Sequence, residues 1–367
     1  MVVLTEQMNS PHGTQMLASL VMDQAVKAGF EVVLFTPQYD SARSYWREFL
    51  ESRGIRVFSA GFWRMTRWYL PHRVLARRFW RFVDEFEPDL IWAPDNEPFT
   101  CCALELSPDP APPFFVHDPN EASPAFDTYP DMWFSVCNRV HALSVHGRRQ
   151  MRSAREYYAL EKPIGVVWPA SLVPERESCP YPDGPTIQFG QLGRLHRHKS
   201  VATSINAIAA VRSKGYSAHL HIFGSGPEEE RLRALSSRLD LNGHVFFHGE
   251  YDWQEIDSCI QMIHVGLLPS LCEGFGLVIL EMLSRGRPVI ASDVGSTREV
   301  LEEMGGGWVF PIGDESALVG MMEAVCANPA MIEEQGRRGR EIWREHFTPQ
   351  MMFQRYLAFW RECGARV

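Results

Sequence analysis

Short apolar runs that alternate with longer amphipathic stretches constrain the fold of this chain more than any other feature of its sequence. The stretches Met16–Ala28 and Glu228–Leu239, which lie between such runs, have helical periodicity. Strands that are apolar on both faces and separated by helices are typical of parallel α/β sheets. The predicted strands are Val2–Leu4, Glu31–Phe35, Leu90–Ala93, Phe114–Val116, Thr186–Phe189, His219–Phe223, Val245–Phe247, Val265–Leu268, Pro288–Ala291 and Trp308–Phe310. The sequence therefore predicts an α/β protein built on parallel sheets.

Chain length and a proline-rich segment predict two domains. A chain of 367 residues holds roughly two domains of about 150 residues each. Prolines stand at positions 169, 174, 180, 182 and 185, and a new strand follows them. We therefore expect domains at 1–168 and 186–347, with a linker at 169–185. The segment 348–367 should hold a helix that packs back toward the first domain.

Composition and the length of apolar runs exclude several protein classes. With 45% hydrophobic and 22% charged residues, the chain is not of the disordered, collagen-like or coiled-coil type. The longest uncharged stretch near a strand, Ile260–Cys272, is shorter than the roughly 18–20 residues of a membrane span. The first residues lack the basic segment and cleavage site of a secretion signal. Eight cysteines without metal-type spacing read as reduced thiols, so we expect a cytoplasmic protein.

Positive charge is concentrated in one arginine-rich and aromatic segment. Residues 43–81 contain ten arginines, two glutamates and no lysine, which gives this segment +8 within a chain of net charge −9. Such a patch predicts a specific anionic contact and argues against nucleic-acid binding. Arg73–Phe86 reads as a helix on which Arg73, Arg77 and Arg81 lie opposite an apolar stripe, with Trp80 beside the arginines. Peripheral membrane contact through Arg73–Arg81 and a merely solvated helix face are both open interpretations.

The segment Gly190–Lys199 follows a predicted strand and combines glycines with basic side chains. Glycines let the backbone approach a phosphate closely, Arg194 can hold it through paired hydrogen bonds, and Lys199 supplies a point charge. A diphosphate site and a solvated basic loop explain this pattern equally well. After the next strand, Gly224–Pro227 precedes three glutamates. Acidic residues suit the start of a helix but repel phosphate, so we interpret this turn as mainly structural.

The segment Ser270–Glu281 holds two glutamates around a Gly-Phe-Gly turn. The turn comes after a strand and opens an apolar helix, whose first N–H groups favour an anion. Glu281 stands in an otherwise apolar run, and burying a carboxylate is costly unless it has hydrogen-bond partners. Sugar and ribose hydroxyls are suitable partners, although an ion pair with Arg285 at i+4 is an alternative.

These motifs together resemble the retaining glycosyltransferases of GT-B fold, family 4 (glycosyl transferases group 1). The resemblance covers about Ile187–Asn328 and rests on G-R-L-x-x-x-K, the G-x-G-P turn, P-S-x-x-E-G-F-G, the E-x7-E pair, R-G-R-P-V-I-A-S-D-V-G and F-P-x-G-D. It implies two Rossmann-like domains whose parallel sheets face each other across a cleft that holds the active site. It also implies metal-independent transfer of a sugar from a nucleoside diphosphate, UDP- or GDP-linked, with retention of configuration.

The resemblance implies a role for each matching residue. Arg194 and Lys199, beside Gly193, would bind the diphosphate and stabilise it as it leaves. Glu273 would hold the transferred sugar, and Glu281 the ribose hydroxyls. The remaining donor-binding positions are Gly274, Phe275, Gly276 and Leu277.

The first half of the chain matches the family less closely. The loop after the first strand has only Gly13 where a glycine pair is usual, and Gly13 is its candidate donor contact. His117 follows a strand at the position of a family histidine that lies near the sugar, although a strand-end histidine satisfied by backbone groups is the alternative. Asp118, Asp95 and Asn96 also follow strands, where open α/β sheets place functional residues. They are acceptor-site candidates, and a simple turn at Asp95–Asn96 is equally consistent.

No D-x-D metal motif and no cofactor motif occurs in the sequence. Arg194, Lys199 and a helix N-terminus would supply the positive charge that a metal provides elsewhere, so we expect neither metal nor cofactor. The acceptor would be a saccharide, a glycolipid or a small molecule. Two alternatives are a nucleotide-sugar 2-epimerase of the same fold and a non-catalytic subunit that binds a partner.

Overall fold

The computed structural model describes residues 1–6, 8, 13–37, 39, 44–59, 69–119, 130–171 and 179–367. The chain divides into two compact units. Unit 1 comprises Met1–Leu172 and Pro349–Val367, and unit 2 comprises Val173–Thr348. The chain thus leaves unit 1 once and returns to it at its last helix.

Strands and helices alternate through both units. The strands are β1 (Val2–Leu4), β2 (Val33–Thr36), β3 (Arg56–Ser59), β4 (Ile91–Ala93), β5 (Phe114–Asp118), β6 (Ala142–Val145), β7 (Ile164–Val166), β8 (Ile187–Leu192), β9 (Ala218–Phe223), β10 (Val245–Gly249), β11 (Val265–Leu268), β12 (Val289–Ser292) and β13 (Gly307–Phe310). The helices are α1 (Gly13–Lys27), α2 (Arg47–Ser52), α3 (Tyr69–Phe86), α4 (Pro98–Glu105), α5 (Pro130–Val136), α6 (Arg148–Tyr157), α7 (Val201–Ser213), α8 (Glu229–Arg238), α9 (Ile256–Gln261), α10 (Leu277–Ser284), α11 (Glu315–Ala327), α12 (Ala330–His346) and α13 (Pro349–Glu362).

Unit 1 contains a seven-stranded sheet in the order β3-β2-β1-β4-β5-β6-β7, and all its strand pairs are parallel. Successive side chains of a strand point to opposite faces. Accordingly, Val3, Trp92 and Phe115 pack with α1 and α13, whereas Val2 and Val116 pack with α3 and α4. A parallel sheet needs both faces covered, and these two helical layers cover them.

The last helix, α13, is part of the core of unit 1. Tyr356 and Trp360 are fully buried, and their rings lie 5.4 and 6.5 Å from the ring of Trp92 in β4. Phe359 lies so close to Gly165 of β7 that a Cβ atom there would overlap its ring. The helix therefore completes one face of the sheet.

Helix α3 corrects one expectation from the sequence. Trp80 was expected beside the exposed arginines, but this prediction is wrong because only 6% of the residue is exposed. Its indole Nε1 donates a hydrogen bond of 2.8 Å to the carbonyl of Ala103 in α4. The whole of α4 except Glu105 is buried and packs on this side of α3. Of the predicted row, Arg77 and Arg81 are exposed, whereas Arg73 is half-buried and forms an ion pair of 3.2 Å with Glu105 of α4.

Unit 2 contains a six-stranded parallel sheet in the order β10-β9-β8-β11-β12-β13. Phe189, Leu220 and Val265 lie at the centre of its core, and Ile205 and Leu318 of α7 and α11 pack against them. Both units thus have the parallel, helix-covered sheet of a Rossmann-like fold. The two-unit α/β fold class expected from the sequence is confirmed.

A buried arginine fixes the described end of the predicted linker to unit 2. The Arg287 guanidinium is fully buried and donates to the carbonyls of Ile263 (2.6 Å), Cys179 (2.9 Å) and Pro180 (2.5 Å). It also lies 4.2 Å from the ring centre of Tyr181. Residues 179–181 are therefore anchored to unit 2, whereas residues 172–178 of the predicted linker lie outside the described residues.

Candidate active site

The basic loop of unit 2, residues 193–199, begins where β8 ends. The turn after β9 supports it. Leu195 N–H donates to the carbonyl of Ser225 (2.8 Å), and Gly193 N–H donates to that of Phe223 (3.0 Å). A Cβ atom at Gly224 would overlap the carbonyl of Gly193, and Gly224 has φ 131°, which favours glycine. The turn Gly224–Pro227 thus positions the basic loop, in agreement with its structural interpretation.

Lys199 and Glu273 form the centre of the site. Lys199 Nζ lies 2.6 Å from Glu273 Oε1, and the hydroxyl of Ser270 donates to the same oxygen at 2.6 Å. The pair joins the loop after β8 to the turn after β11, because neighbouring parallel strands end at the same edge of the sheet. Glu273 is 9% exposed, so its charge is balanced by Lys199 more than by water.

Backbone and amide contacts hold these two segments together. Leu271 N–H donates to the carbonyl of His198 at 2.7 Å. The buried Gln191 donates from Nε2 to the carbonyl of Lys199 (2.8 Å) and accepts a hydrogen bond from Ser204 of α7 (2.7 Å). Sequence reasoning missed Gln191 because a polar residue inside a strand has no motif of its own. Its only signal was its position before Gly193.

Arg194 is an available cation in this loop. Its side chain is exposed and donates no hydrogen bond within the described part of the chain. It stands two residues before His196 and five before Lys199. The loop therefore offers one guanidinium without a protein partner next to an ammonium that is already paired.

The turn between Glu273 and α10 brings a helix N-terminus to the same place. Gly276 caps α10 with φ 82°, and the first N–H groups of a helix have no partners within the helix. Phe275 is 4% exposed, so its ring is a packing group while its backbone belongs to the turn. A Cβ atom at Gly295 would lie 2.5 Å from the carbonyl of Gly274. Gly295 therefore lets the segment after β12 support the turn, a role that sequence reasoning did not assign.

Glu281 lies on α10, and its carboxylate is available to a ligand. It is half-buried, and its carboxylate has no hydrogen-bond or ion-pair partner among the described residues. Burial raises the pKa of Glu281 to about 7. The alternative pairing with Arg285 is wrong, because the Arg285 guanidinium binds Asp257 of α9 instead (2.8 Å from Nε). Burial and nearby Glu281 raise the pKa of the Tyr251 hydroxyl.

In unit 1, His117 lies at the end of β5 inside a buried network. The Tyr356 hydroxyl and Ser144 Oγ each lie 3.0 Å from His117 Nδ1. His117 Nε2 lies 3.2 Å from Nε2 of His146, whose Nδ1 is 3.5 Å from the carbonyl of Val167. Burial, then nearby His146, lowers the pKa of His117 well below its ordinary value, so the ring is neutral. Both ring nitrogens of His117 thus have partners inside unit 1.

The acceptor candidates lie at the same edge of the unit 1 sheet. Asp95, after β4, is buried and accepts hydrogen bonds from the hydroxyls of Thr5 (3.2 Å) and Thr100 (3.3 Å). Burial, with nearby Glu97 and Glu6, raises the pKa of Asp95 to about 8. The structure thus shows Asp95 buried in a network of hydroxyls and other carboxylates.

The two remaining acceptor candidates differ in burial. Asp118 is buried and accepts a hydrogen bond from Tyr158 at 3.2 Å. Asn96 is half-buried, and its backbone carbonyl accepts from the thiol of Cys101 (3.2 Å).

Gly13, the predicted donor contact of unit 1, is the first residue of α1 and is exposed. Residues 9–12 of its loop lie outside the described residues. Two positions further on, Gln15 is 6% exposed, and its Oε1 has no hydrogen-bond partner within the described ranges. Gln15 is a polar side chain at a helix start that sequence reasoning did not single out.

Two kinds of larger feature are absent from the described residues. Within the described residues, no group of three or more His, Cys, Asp or Glu side chains is arranged to hold a metal ion. In the same part of the chain, no helix has the length and apolar character needed to cross a membrane.

The fold can be compared with solved structures. The chain superimposes with TM-score 0.76 on the lipopolysaccharide outer core galactosyltransferase WaaB in its apo form, at 19% identity over 99% of this chain and 100% of the other. It superimposes with TM-score 0.80 on Anabaena HepE in complex with UDP, at 16% identity over 98% and 99% of the two chains. The two Rossmann-like units and the similarity to these solved glycosyltransferase structures identify the fold as GT-B.

The sequence comparisons concern mainly the second half of the chain. Residues 182–342 match the family model described as Glycosyl transferases group 1. The chain is 31% identical over 208 residues to the phosphatidyl-myo-inositol mannosyltransferase of Mycobacterium leprae, covering 56% of this chain and 54% of that protein. It is 29% identical over 168 residues to the putative glycosyltransferase EpsD of Bacillus subtilis, covering 45% and 44%. The chain thus spans about half the length of the curated relatives it matches.

The family match falls on the part of the chain that contains the candidate site. Residues 182–342, which include the basic loop, the Lys199–Glu273 pair and Glu281, are similar to the group 1 glycosyl transferases. The family resemblance expected from the motifs is confirmed, and membership of family 4 is compatible with the matches.

Proposed function

We propose that the chain is a metal-independent glycosyltransferase that moves a sugar from a nucleotide diphosphate to an acceptor hydroxyl with retention of configuration. The observation that carries the proposal is the Lys199–Glu273 ion pair of 2.6 Å beside the unpaired Arg194 and the N-terminus of α10. Two cations and a helix dipole suit a diphosphate, and a carboxylate among them suits the hydroxyls of the sugar attached to it.

In this proposal the chemistry is electrostatic. As the bond between the sugar and the diphosphate breaks, negative charge grows on the leaving phosphate, and Arg194 and Lys199 stabilise it there. Glu281 accepts hydrogen bonds from the ribose, which offsets the cost of its burial. Residues of unit 1, namely Asp95, Asn96 and Asp118, are proposed on the acceptor side, and His117 is proposed to orient near the sugar.

The donor is proposed to be a UDP- or GDP-linked sugar. Support for UDP comes from the Anabaena HepE structures, which contain UDP and UDP-glucose. The relatives include a phosphatidyl-myo-inositol mannosyltransferase and a lipopolysaccharide 1,6-galactosyltransferase. We propose a saccharide, glycolipid or small-molecule acceptor for this chain, and a cytoplasmic site of action.

Binding of nucleoside diphosphates tests the donor half of the proposal. Thermal unfolding of the purified protein would be followed with UDP, GDP, ADP and dTDP and their common sugar conjugates, with and without EDTA. A ligand at 100 times its Kd stabilises the folded state by about 2.7 kcal/mol. We expect the nucleotides of one nucleobase to raise Tm with EDTA present. Lys199→Ala should abolish this rise. Lys214→Ala, on the surface of the same unit, should keep it.

Turnover tests the reaction itself. Incubation of the preferred nucleotide sugar with candidate acceptors should release the nucleoside diphosphate and give a product of unchanged anomeric configuration, read by NMR. Conversion of the donor sugar without any acceptor would identify a 2-epimerase instead. Absence of nucleotide binding would favour a non-catalytic subunit and contradict the proposal.

We further propose peripheral contact between unit 1 and an anionic membrane through α3. Arg77, Arg78 and Arg81 are exposed, and Val74 beside them is 47% exposed, although Trp80 takes no part because it is buried. Clustered arginines near a surface attract anionic lipids by about 1 kcal/mol each. Vesicles with 30% phosphatidylglycerol should sediment the protein at low salt, and an R77E/R78E/R81E variant should stay in the supernatant. Absence of sedimentation of the unmodified protein would rule out this contact.

A further inference from the structure

Two histidines of the basic loop lie against each other. Nδ1 of His196 and Nδ1 of His198 are 2.8 Å apart, and their ring centres are 4.7 Å apart. His196 is exposed and His198 half-buried, and neither Nε2 has a hydrogen-bond partner among the described residues. Within the described residues, the two Nε2 atoms, on the sides of the rings opposite the Nδ1–Nδ1 contact, are thus without partners.

The Nδ1–Nδ1 contact determines where the protons are. One Nδ1 carries a proton and donates it to the lone pair of the other. When both rings are neutral, the donating ring therefore has an unprotonated Nε2 and the accepting ring has a protonated one. One added proton at that free Nε2 gives an imidazolium that still donates through Nδ1. Both Nε2 atoms are then donors.

The surroundings of His198 are the residues of the proposed diphosphate site. The charged groups that act on it are Lys199, Arg194 and His196 of its own loop and Glu273 of the turn after β11. Its backbone carbonyl accepts the hydrogen bond from Leu271 that ties the two segments together. Burial, followed by the charge of Lys199, lowers the pKa of His198, which favours the neutral form of its ring in the free protein.

We propose that the His196–His198 pair is a third cationic contact of the diphosphate site, formed when the pair takes up one proton from solvent as the nucleotide sugar binds. The inference rests on the proposed function and adds to it. Two phosphate charges placed next to Arg194 and Lys199 favour the imidazolium, because an opposite charge within about 4–6 Å raises a histidine pKa. The proton goes to the free Nε2, and two Nε2–H groups then donate to phosphate oxygens.

The sign of the linkage follows from this shift. Because binding raises the pKa of the pair, affinity should be highest at low pH and fall as pH rises through the pKa of the bound state. Glu281 responds in the opposite direction: hydrogen bonds from a ribose favour its charged form, so its contribution releases a proton. The number of protons that the unmodified protein exchanges on binding is therefore the uptake by the histidine pair minus the release by Glu281. Variants of the pair isolate the uptake.

Calorimetry can count these protons. A nucleotide sugar is the correct probe because both of its phosphates are esterified, whereas the terminal phosphate of a free nucleoside diphosphate titrates near pH 6 and would add a proton exchange of its own. Titrations with UDP-glucose, GDP-mannose, ADP-glucose and dTDP-glucose would identify the binder. Repeating them at pH 6.5 in buffers of different ionisation enthalpy gives the number of protons exchanged per ligand.

We expect the unmodified protein to take up at least about half a proton more than H198Q does. H196Q should lose the same amount, and the double variant should lose no more than either alone, because the proton belongs to the pair. The affinity advantage of the unmodified protein over H198Q should be about tenfold larger at pH 6 than at pH 8, one pKa unit corresponding to a factor of ten. H346Q, at the end of α12, is the control and should change neither quantity.

The outcomes separate the inference from the function on which it rests. If the nucleotide sugar binds but H196Q and H198Q exchange as many protons as the unmodified protein, the inference is wrong and the proposed function stands. If none of the four nucleotide sugars binds, the proposed function is wrong and the inference with it.

Discussion

At the scale of single residues, Oε1 of Glu273 is shared by two donors, Lys199 at 2.6 Å and Ser270 at 2.6 Å. In the proposed function, a phosphate oxygen would take the place at Lys199 that this oxygen occupies. The proposal therefore implies that Glu273 competes with the diphosphate for the ammonium and offers a carboxylate to the sugar.

Removing the charge of Glu273 should separate these two effects. In E273Q, Lys199 is left without its counter-charge, so UDP or GDP without a sugar should bind roughly tenfold more tightly, equivalent to about 1.4 kcal/mol. Sugar transfer should fall, because an amide oxygen is a weaker acceptor for sugar hydroxyls. Titration calorimetry of the diphosphate and a turnover assay check the two halves. Weaker diphosphate binding by E273Q would contradict the competition.

Glu281 should make stability depend on pH. Its pKa is about 7 in the folded protein and about 4.5 otherwise, so the folded state holds the extra proton between these values. Because the unfolded state binds fewer protons there, stability falls as pH rises from 4.5 to 7, by up to about 3 kcal/mol. Urea unfolding at pH 5 and pH 8 should show E281Q equal to the unmodified protein at pH 5 and more stable at pH 8.

Asp95 provides the matched comparison for Glu281. Burial raises the pKa of Asp95 to about 8. The loss of protein stability that Asp95 causes therefore continues to a higher pH than the loss that Glu281 causes. D95N should therefore keep the fall between pH 4.5 and 7 that Glu281 causes. A pH profile of E281Q that coincides with that of the unmodified protein would show that Glu281 is not the titrating group.

At the scale of elements, the site is assembled by the turns that follow β8, β9 and β11. Besides the Lys199–Glu273 pair, backbone hydrogen bonds join these turns: Leu195 with Ser225, and Leu271 with His198. Glycines are needed where one turn approaches another, at Gly224 against Gly193 and at Gly295 against Gly274. The chemistry of Arg194, Lys199 and Glu273 thus depends on residues that have no side chains to contribute.

Gly224→Ala should damage the basic loop from the neighbouring turn. The new methyl group would overlap the carbonyl of Gly193, and the residue would also have to adopt a φ of 131°. Backbone strain and overpacking cost about 1–3 kcal/mol each, and nucleotide binding should weaken with them. Gly215→Ala is the control, since Gly215 also has positive φ (90°) but its Cβ would meet open space. Equal losses of stability in the two variants would argue against the contact.

The elements that the sequence predicted correctly are those with a strong and regular pattern. Val2–Leu4 and Val265–Leu268 match β1 and β11 to the residue, because each is a fully apolar run. Strands β3, β6 and β7 were missed. β3 is an edge strand with mostly exposed side chains, and the half-buried β7 has only three residues with a glycine in the middle. β6 is fully buried, but a serine interrupts its run of four residues. Strands with an interrupted apolar pattern are specified by their neighbours in the sheet, which no local pattern reports.

The site shows the same division between local and distant information. Lys199, Glu273 and Glu281 were predictable because each belongs to a spaced motif. The N-terminus of α10 was predictable because a glycine-containing turn precedes it. Gly295 and Tyr356 were not, because each acts through a residue far away in the sequence, and Gln191 was not, because a polar residue inside a strand has no motif of its own. Trp80 was misplaced for that reason too: helical spacing identifies a face of α3 but cannot show that α4 covers it.

At the scale of the whole molecule, the two units have separate cores and should respond separately to perturbation. Trp360 is fully buried in unit 1 and Trp343 is 1% exposed in unit 2. The first packs with Trp92 under the unit 1 sheet, and the second belongs to α12. Each tryptophan therefore reports on the stability of its own unit.

Calorimetric unfolding should resolve this independence. Replacing a buried tryptophan by alanine costs about 3–5 kcal/mol, so Trp360→Ala should lower the transition of unit 1 and Trp343→Ala that of unit 2. The nucleoside diphosphate that binds should raise only the unit 2 transition, because its proposed contacts lie there. A single transition that both variants and the ligand move together would show that the units unfold as one.

The return of the chain to unit 1 at α13 has a consequence for its synthesis on the ribosome. The sheet face with Trp92 and Phe115 is covered by α13, which is translated only after all of unit 2. At about 5–20 residues per second, the nascent unit 1 waits on the order of ten seconds or more with aromatic side chains exposed. Unit 2, whose segment is continuous, has its complete sequence first. A chaperone that binds apolar surface would find its target in unit 1, and the emergence of α13 from the exit tunnel would release it.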